Sequence, residues 1–299
     1  MIREFFAVAV ILVSNFAIVA GGATESFAQG ARGEGNTGNR GNFRPPPWPD
    51  GIPISGIDKI TAKVYSFRYR GHRTMFVVTS EGVIMTDPIN PRAAPLLMKE
   101  IRAVTDKPIK YMIYSHEHRD HSSGGKIFKD AGATVVSQEK CVRPLKKNPR
   151  AVAPDETFKD RRDITLGDTT IELYHFGKSH GNCLAIMRLP KQRLAYTVDI
   201  LTPHSVIFRN IRGDLPGMIR TLKAIQNMDV DRIVPGHGLK TPSAPLSVAG
   251  DALQYLADLR SETEVAMAKN PDPEAAKKLV DLKKYAKWRN ADRFLMQNV

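Results

Sequence analysis

The sequence predicts a layered domain of the mixed α/β class. Short apolar runs with the length of strands are interleaved with longer amphipathic stretches, in the order strand, strand, strand, helix, strand, loop, helix, strand. The second half repeats this flavour without any residue-level repeat, and histidines and aspartates stand where apolar runs stop. At 299 residues, 42% hydrophobic and 25% charged, the chain has material for one large domain or two small ones.

The chain opens on a segment of another kind. Met1-Ile2-Arg3-Glu4 precedes an apolar run from Phe5 to Ala20, broken only by Ser14 and Asn15. Small residues follow at Gly21-Gly22-Ala23 and Ser26-Phe27-Ala28, so residues 1–28 read as a secretory signal cut after Ala28 or after Ala23. The alternative is a retained membrane anchor, since Phe5 to Ala23 approaches a bilayer-spanning length. With the signal removed, the expectation is a periplasmic or secreted bacterial protein with no stable membrane insertion. Residues 29–53 are rich in Gly, Asn, Arg and Pro and end in Pro45-Pro46-Pro47-Trp48-Pro49, too poor in apolar surface to pack, and read as a disordered tether.

The folded domain is expected over residues 54–244. Strands are predicted at Ile60 to Tyr69, Thr74 to Thr79 and Val83 to Thr86, with Gly71 and Glu81-Gly82 turning the hairpins. Ala93 to Val104 is an amphipathic helix with Pro95 in its first turn, where a missing N–H costs little. A buried strand, Ile109 to Tyr114, then leads into a tight loop, a helix near Gly125 to Asp130 and a strand at Thr134 to Ser137. Further on, Ile164 to Leu166 pairs with Thr169 to Tyr174 and Cys183 to Leu189 with Arg193 to Thr197. A helix at Leu215 to Met228 and a strand at Arg232 to Val234 close the pattern. Residues 245–299 read as helices, broken at Asn270-Pro271-Asp272-Pro273, that pack on the domain.

Net charge is +13, which favours anionic partners, yet the basic residues are spread and carry no interleaved aromatics. A nucleic-acid track is therefore not expected. Cys141 and Cys183 are too few for a disulfide scaffold; in an oxidising compartment they pair, or they stay as two buried thiols.

The densest chemistry is Ser115-His116-Glu117-His118-Arg119-Asp120-His121, directly after the Ile109 strand and before the small residues Ser122-Ser123-Gly124-Gly125. Imidazoles and a carboxylate are ligands that zinc accepts without any thiol. A strand that stops and turns here aims alternate histidines at one point and swings Asp120 and His121 toward a second, a two-metal layout. His180 stands between small residues in Ser179-His180-Gly181, Asp199 follows the apolar run Leu194 to Val198, and His237 is flanked by Gly236 and Gly238.

On these residues the chain resembles the metallo-β-lactamase superfamily, over about Ile54 to Thr241. The resemblance implies a four-layer αββα sandwich with metals at the edge where the sheets meet. It assigns His116, His118 and His180 to a first metal, Asp120, His121 and His237 to a second, and Asp199 as the bridge between them. Asp87, ending Val83-Ile84-Met85-Thr86, matches a carboxylate that holds ligand histidines from behind, or else it caps the turn before Pro88. One departure is Gly181-Asn182-Cys183 after His180, where relatives commonly continue with Thr or Ser and a Gly.

The implied chemistry is hydrolysis by a hydroxide held between two Zn(2+), with iron or manganese admitted by the all His/Asp set, and with Asp120 orienting the nucleophile or moving a proton. Asp199 at the bridge resembles glyoxalase II and lactonase-like members, whereas one large group of β-lactamases has a cysteine there. Thr202 also stands where those lactamases keep a basic residue. The expected substrate is a small ester, lactone, thioester or amide, anionic or neutral, with His204 and Arg209 as candidate contacts. A β-lactamase is the alternative, and a metal-binding module without catalysis the alternative of another class.

Overall fold

The structure, a computed structural model, describes residues 50–207 and 214–299; the signal segment 1–28, residues 29–49 of the tether and Arg209 lie outside the described residues. The chain runs through β1 (Ser55–Lys59), β2 (Val64–Tyr69), β3 (His72–Val78), β4 (Val83–Thr86), α1 (Ala93–Val104), β5 (Ile109–Ile113), α2 (Arg119–Ser122), α3 (Lys126–Asp130), β6 (Thr134–Gln138), α4 (Val142–Lys146) and β7 (Glu156–Phe158). These seven strands form one sheet in sequence order, antiparallel through β4 and parallel from β4 to β7.

A second sheet takes β8 (Arg161–Leu166), β9 (Thr169–Tyr174), β10 (Ile186–Leu189), β11 (Leu194–Tyr196), β12 (Arg232–Val234) and β13 (Ala244–Pro245), with α5 (Leu215–Gln226) between β11 and β12. Its order is β13-β12-β11-β10-β9-β8, and β11 with β12 is its parallel pair. The chain ends in α6 (Val248–Lys269), α7 (Pro273–Lys277) and α8 (Ala291–Asn298).

The period of two along each strand produces the layers. Val64, Met75, Val77, Ile84, Ile113 and Val136 face inward onto Ile171, Leu173, Ile186 and Tyr196 of the second sheet. Their neighbours Phe67, Phe76, Met85, Met112 and Val135 face the other way, onto Leu97 and Ile101 of α1 and Phe128 of α3. Met218, Leu222 and Ile225 of α5, with Leu256 and Leu259 of α6, cover the far side of the second sheet. The αββα expectation therefore describes the fold.

Some short elements differ from the sequence expectation. The ligand stretch is not wholly loop, because His121 N and Ser122 N donate to His118 O at 3.0 and 2.9 Å and wind Arg119–Ser122 into one helical turn. Four residues are too few to show a period, as are β7 and α4. β1 was not apparent either; it is an edge strand whose burial comes from pairing with β2. Among the described residues no helix is long and apolar enough to cross a membrane.

Candidate metal centre

Parallel pairing sends the ends of β4 and β5 the same way, and likewise those of β11 and β12, so four strand exits, two from each sheet, carry Asp87, Ser115 to His121, Asp199 and His237. Ala185 N donates to Ser115 O at 2.8 Å, which joins the two sheets at this edge. Asp199 follows β11 with φ of 58°, a left-handed conformation that Asp tolerates better than most residues. Gly236 lets the two second-sheet loops touch: a Cβ there would lie 2.1 Å from Val198 Cγ2.

Asp199 sits in the middle, with one carboxylate oxygen toward each of two histidine groups. Its Oδ2 is 3.4 Å from His116 Nε2 and 3.3 Å from His180 Nε2. His118 Nδ1 lies 3.1 Å from His180 Nε2. Asp199 Oδ1 is 3.2 Å from His121 Nε2 and 2.7 Å from His237 Nε2. Asp120 lies farther out, its Oδ2 at 3.8 Å from His121 Nε2 and 3.9 Å from His237 Nε2, with its side chain 47% exposed.

Two groups behind the histidines fix their rings. Asp87, fully buried, accepts from Ser115 N at 2.7 Å and Ser115 Oγ at 2.6 Å, and its Oδ2 stands 3.2 Å from His121 Nδ1. Ser115 Oγ is 3.0 Å from His116 Nδ1. With Ser115 Oγ on His116 Nδ1 and the Asp87 carboxylate facing His121 Nδ1, each ring presents Nε2 to Asp199, the arrangement by which outer partners orient metal-binding histidines.

Arg73 fixes the His237 loop. Its buried guanidinium donates through Nε to Gly238 O at 2.8 Å and through Nη2 to Leu239 O at 3.2 Å, while Nη1 pairs with Asp58 at 2.9 Å. The backbone agrees: Arg73 N donates to Gly236 O at 2.7 Å and Gly238 N to Gly71 O at 3.0 Å, so His72 is bridged to His237. His72 was not singled out from the sequence. Its one signal is a position directly after turn Gly71, as His237 follows Gly236.

The electrostatics couple these groups into one cluster. Burial disfavours the Asp199 carboxylate, but His237 and His121 outweigh it and hold the group well below the usual range. Burial pushes His116 down to about 4, with Asp199 opposing, so this imidazole is neutral and its nitrogen available. For His118 and His121 burial is outweighed by the carboxylates, Asp199 first, and both are raised.

The residues fit divalent metal ions. His116 Nε2 and Asp199 Oδ1, both buried, approach other charged groups but make no well-aligned hydrogen bond among the described residues, and a metal is the natural partner for such unsatisfied ligand atoms in an imidazole and carboxylate site. His116, His118, His180 and Asp199 each bring a ligand atom within 4.8 Å of the others, and so do His121, Asp199 and His237, and also His72, Asp120 and His237.

His204 is placed elsewhere. Its Nε2 is 3.3 Å from Asp251 Oδ2 on α6 and its ring stands against Trp288 at 5.8 Å. Cys141 and Cys183 form a disulfide that ties the start of α4 to the loop after His180, with Glu117 Oε2 against Cys183 Sγ at 2.9 Å. Beside it an open cavity of about 480 Å³ is lined by Glu117, Lys140, Arg143, Pro144, Lys147 and Asn182. Glu117 lies between His116 and His118 in the chain and Asn182 two residues after His180, so two of the lining residues sit on the loops that carry the cluster.

Residues 68–237 match the sequence pattern of the Metallo-beta-lactamase superfamily. The chain is 22% identical over 192 residues to 2,4-dinitroanisole O-demethylase subunit alpha of Nocardioides sp. (strain JS1661), covering 62% of this chain and 58% of that protein. It is 22% identical over 218 residues to linear primary-alkylsulfatase of Pseudomonas sp. (strain ATCC 19151), covering 54% of this chain and 41% of that one. The chain thus spans about half the length of these curated relatives. A solved structure of a metallo-beta-lactamase from Pontibacter korlensis superposes with a TM-score of 0.60 at 22% identity, covering 68% of this chain and 99% of that one, which is a likeness of fold.

Proposed function

The chain belongs to the metallo-beta-lactamase superfamily, and from that premise we propose that it is an exported dinuclear metallohydrolase acting on a small anionic ester, lactone, thioester or amide. The observation that carries the reading is the Asp199 carboxylate, with Oδ2 facing His116 and His180 at 3.4 and 3.3 Å and Oδ1 facing His121 and His237 at 3.2 and 2.7 Å. His116, His118 and His180 would hold one ion, Asp120, His121 and His237 the other, and Asp199 both.

Two divalent ions, zinc by preference, supply Lewis acidity and a nucleophilic water near neutral pH. The chain's own part would be orientation: Ser115 Oγ beside His116 Nδ1 and Asp87 facing His121 Nδ1 would steer the two rings, and Asp120 Oδ2, half-exposed at the rim, would orient the water or take a proton from it. Lys140, Arg143 and Lys147 in the adjoining cavity support an anionic substrate, since three cations there face one carboxylate, Glu117. The disulfide supports export, because such bonds persist in oxidising compartments. Similarity to an alkylsulfatase brings sulfate esters into the range to be tried.

The test is elemental analysis of the purified chain together with a hydrolysis screen of lactones, thioesters, carboxylate and sulfate esters, and a chromogenic β-lactam. Two ions and turnover that vanishes in His116→Ala/Asp120→Ala support the proposal. Turnover of the β-lactam alone would make it a β-lactamase, and two ions without any turnover would favour a metal-binding module.

A further inference from the structure

We propose that His72 is a metal ligand, completing the second ion's site at its outer end with Asp120 and His237. This rests on the dinuclear reading above and adds a donor to it. His72 Nε2 is 3.3 Å from Asp120 Oδ2, nearer than either His121 Nε2 at 3.8 Å or His237 Nε2 at 3.9 Å. Its ring stands 4.9 Å from that of His237 and 6.1 Å from that of His121. One ligand atom from each of His72, Asp120 and His237 falls within 4.8 Å of the other two, the same spacing as in the His121, Asp199 and His237 set.

The placement is built into the backbone. The bridge between His72 and His237 is flanked by Arg73 N to Gly236 O at 2.7 Å and Gly238 N to Gly71 O at 3.0 Å, and the Arg73 side chain closes it again through Gly238 O at 2.8 Å. Two histidines on directly bridged residues cannot drift apart without breaking these bonds. His72 is only 29% exposed, so its imidazole is not a solvated surface group. Asp120 alone at the rim is a weakly held ligand. With His72 beside it, the second ion would be offered imidazole nitrogens from His72, His121 and His237 and carboxylates from Asp120 and Asp199, donor types that zinc accepts.

The experiment titrates metal-free protein with Zn(II) against a chromophoric chelator, and with Co(II) followed by its visible absorption, for the parent, His72→Ala and His72→Gln. Circular dichroism of each variant checks the fold. Glutamine can still donate a hydrogen bond to Asp120 but is a poor zinc ligand. The expected result is that both variants bind the second equivalent about tenfold or more weaker, with the first equivalent unchanged and an altered Co(II) spectrum. Parent-like binding and spectrum in His72→Gln would overturn the proposal, leaving His72 as a group that merely positions Asp120. Two equivalents in the parent and unchanged affinity in both variants also overturns it, while the dinuclear reading stands. A single equivalent in the parent overturns both.

Discussion

The hydroxyl of Tyr196, at the end of the second sheet's β11, lies 3.0 Å from Asp87 Oδ2 at the end of the first sheet's β4. Both residues are fully buried, and the same hydroxyl is 3.0 Å from Arg73 O. One phenol therefore ties together the two sheets, the carboxylate behind His121 and the strand that fixes the His237 loop. Tyr196→Phe should cost ~1–3 kcal/mol, the usual range for a buried carboxylate that loses a donor. It should also weaken the second metal equivalent about tenfold, as loss of an outer partner does. Chemical denaturation and zinc titration of the same samples measure the two effects.

Reducing the Cys141–Cys183 disulfide should lower stability by about 4 kcal/mol in the chain-entropy treatment, given its separation of 42 residues. Cys183 stands three residues after His180. The first metal equivalent should therefore weaken along with the fold, while a bond remote from the site would leave zinc affinity untouched. Denaturation and zinc titration with and without reductant distinguish these cases.

Arg143→Ala combined with Lys147→Ala should raise KM for an anionic substrate about tenfold, the loss of one charge-assisted contact of ~1.5 kcal/mol, with kcat unchanged. A neutral analogue of the same ester should show no change. Equal effects on both substrates would mean that the cavity is not where the charge binds.

Lys63, at the entry to β2, pairs with Asp168 in the turn between β8 and β9, and Asp168 also accepts from Ser80 N at 3.1 Å. The bond from Lys63 brings the Asp168 carboxyl down to about 2. An unfolded aspartate titrates near ~3.9. The stabilisation is therefore present above that value and is lost as the pH falls through about 2. Asp168→Asn should be less stable than the parent at neutral pH, and the gap should close between about pH 4 and about pH 2. Melting temperatures of both proteins across that range decide it.

Much of this was legible in the sequence, for reasons that particular residues make plain. The order of strand-length apolar runs and amphipathic stretches pointed to a layered α/β domain, and the resemblance supplied the four layers; which of Val64, Phe67, Met75 and Phe76 face each layer is settled by the packing. His116, His118, Asp120, His121, His180, Asp199 and His237 stand at strand exits among small residues, where local pattern is visible. His72 had no such advantage, because its meaning depends on a bridge to a residue 165 positions away. Asp87 was ambiguous for the same reason: a cap and a ligand holder look alike until Ser115, His121 and Tyr196 are seen around it. The pairing of Cys141 with Cys183 stayed open because sequence spacing does not reveal that their Cα atoms lie 5.3 Å apart.

The clamp from Arg73 to Gly238 and Leu239 also sets a timetable for synthesis. Its two halves are 165 and 166 residues apart in the chain. When the ribosome has made Arg73 and even His121, the carbonyls that the guanidinium needs have not yet been translated. The pocket proposed for the second ion can therefore close only after β12 and the glycines that follow it have emerged and docked. A nascent or truncated chain that stops short of Gly236 lacks both His237 and the clamp, so this half of the site belongs to the finished protein, whereas His116, His118, His180 and Asp199 are all translated earlier.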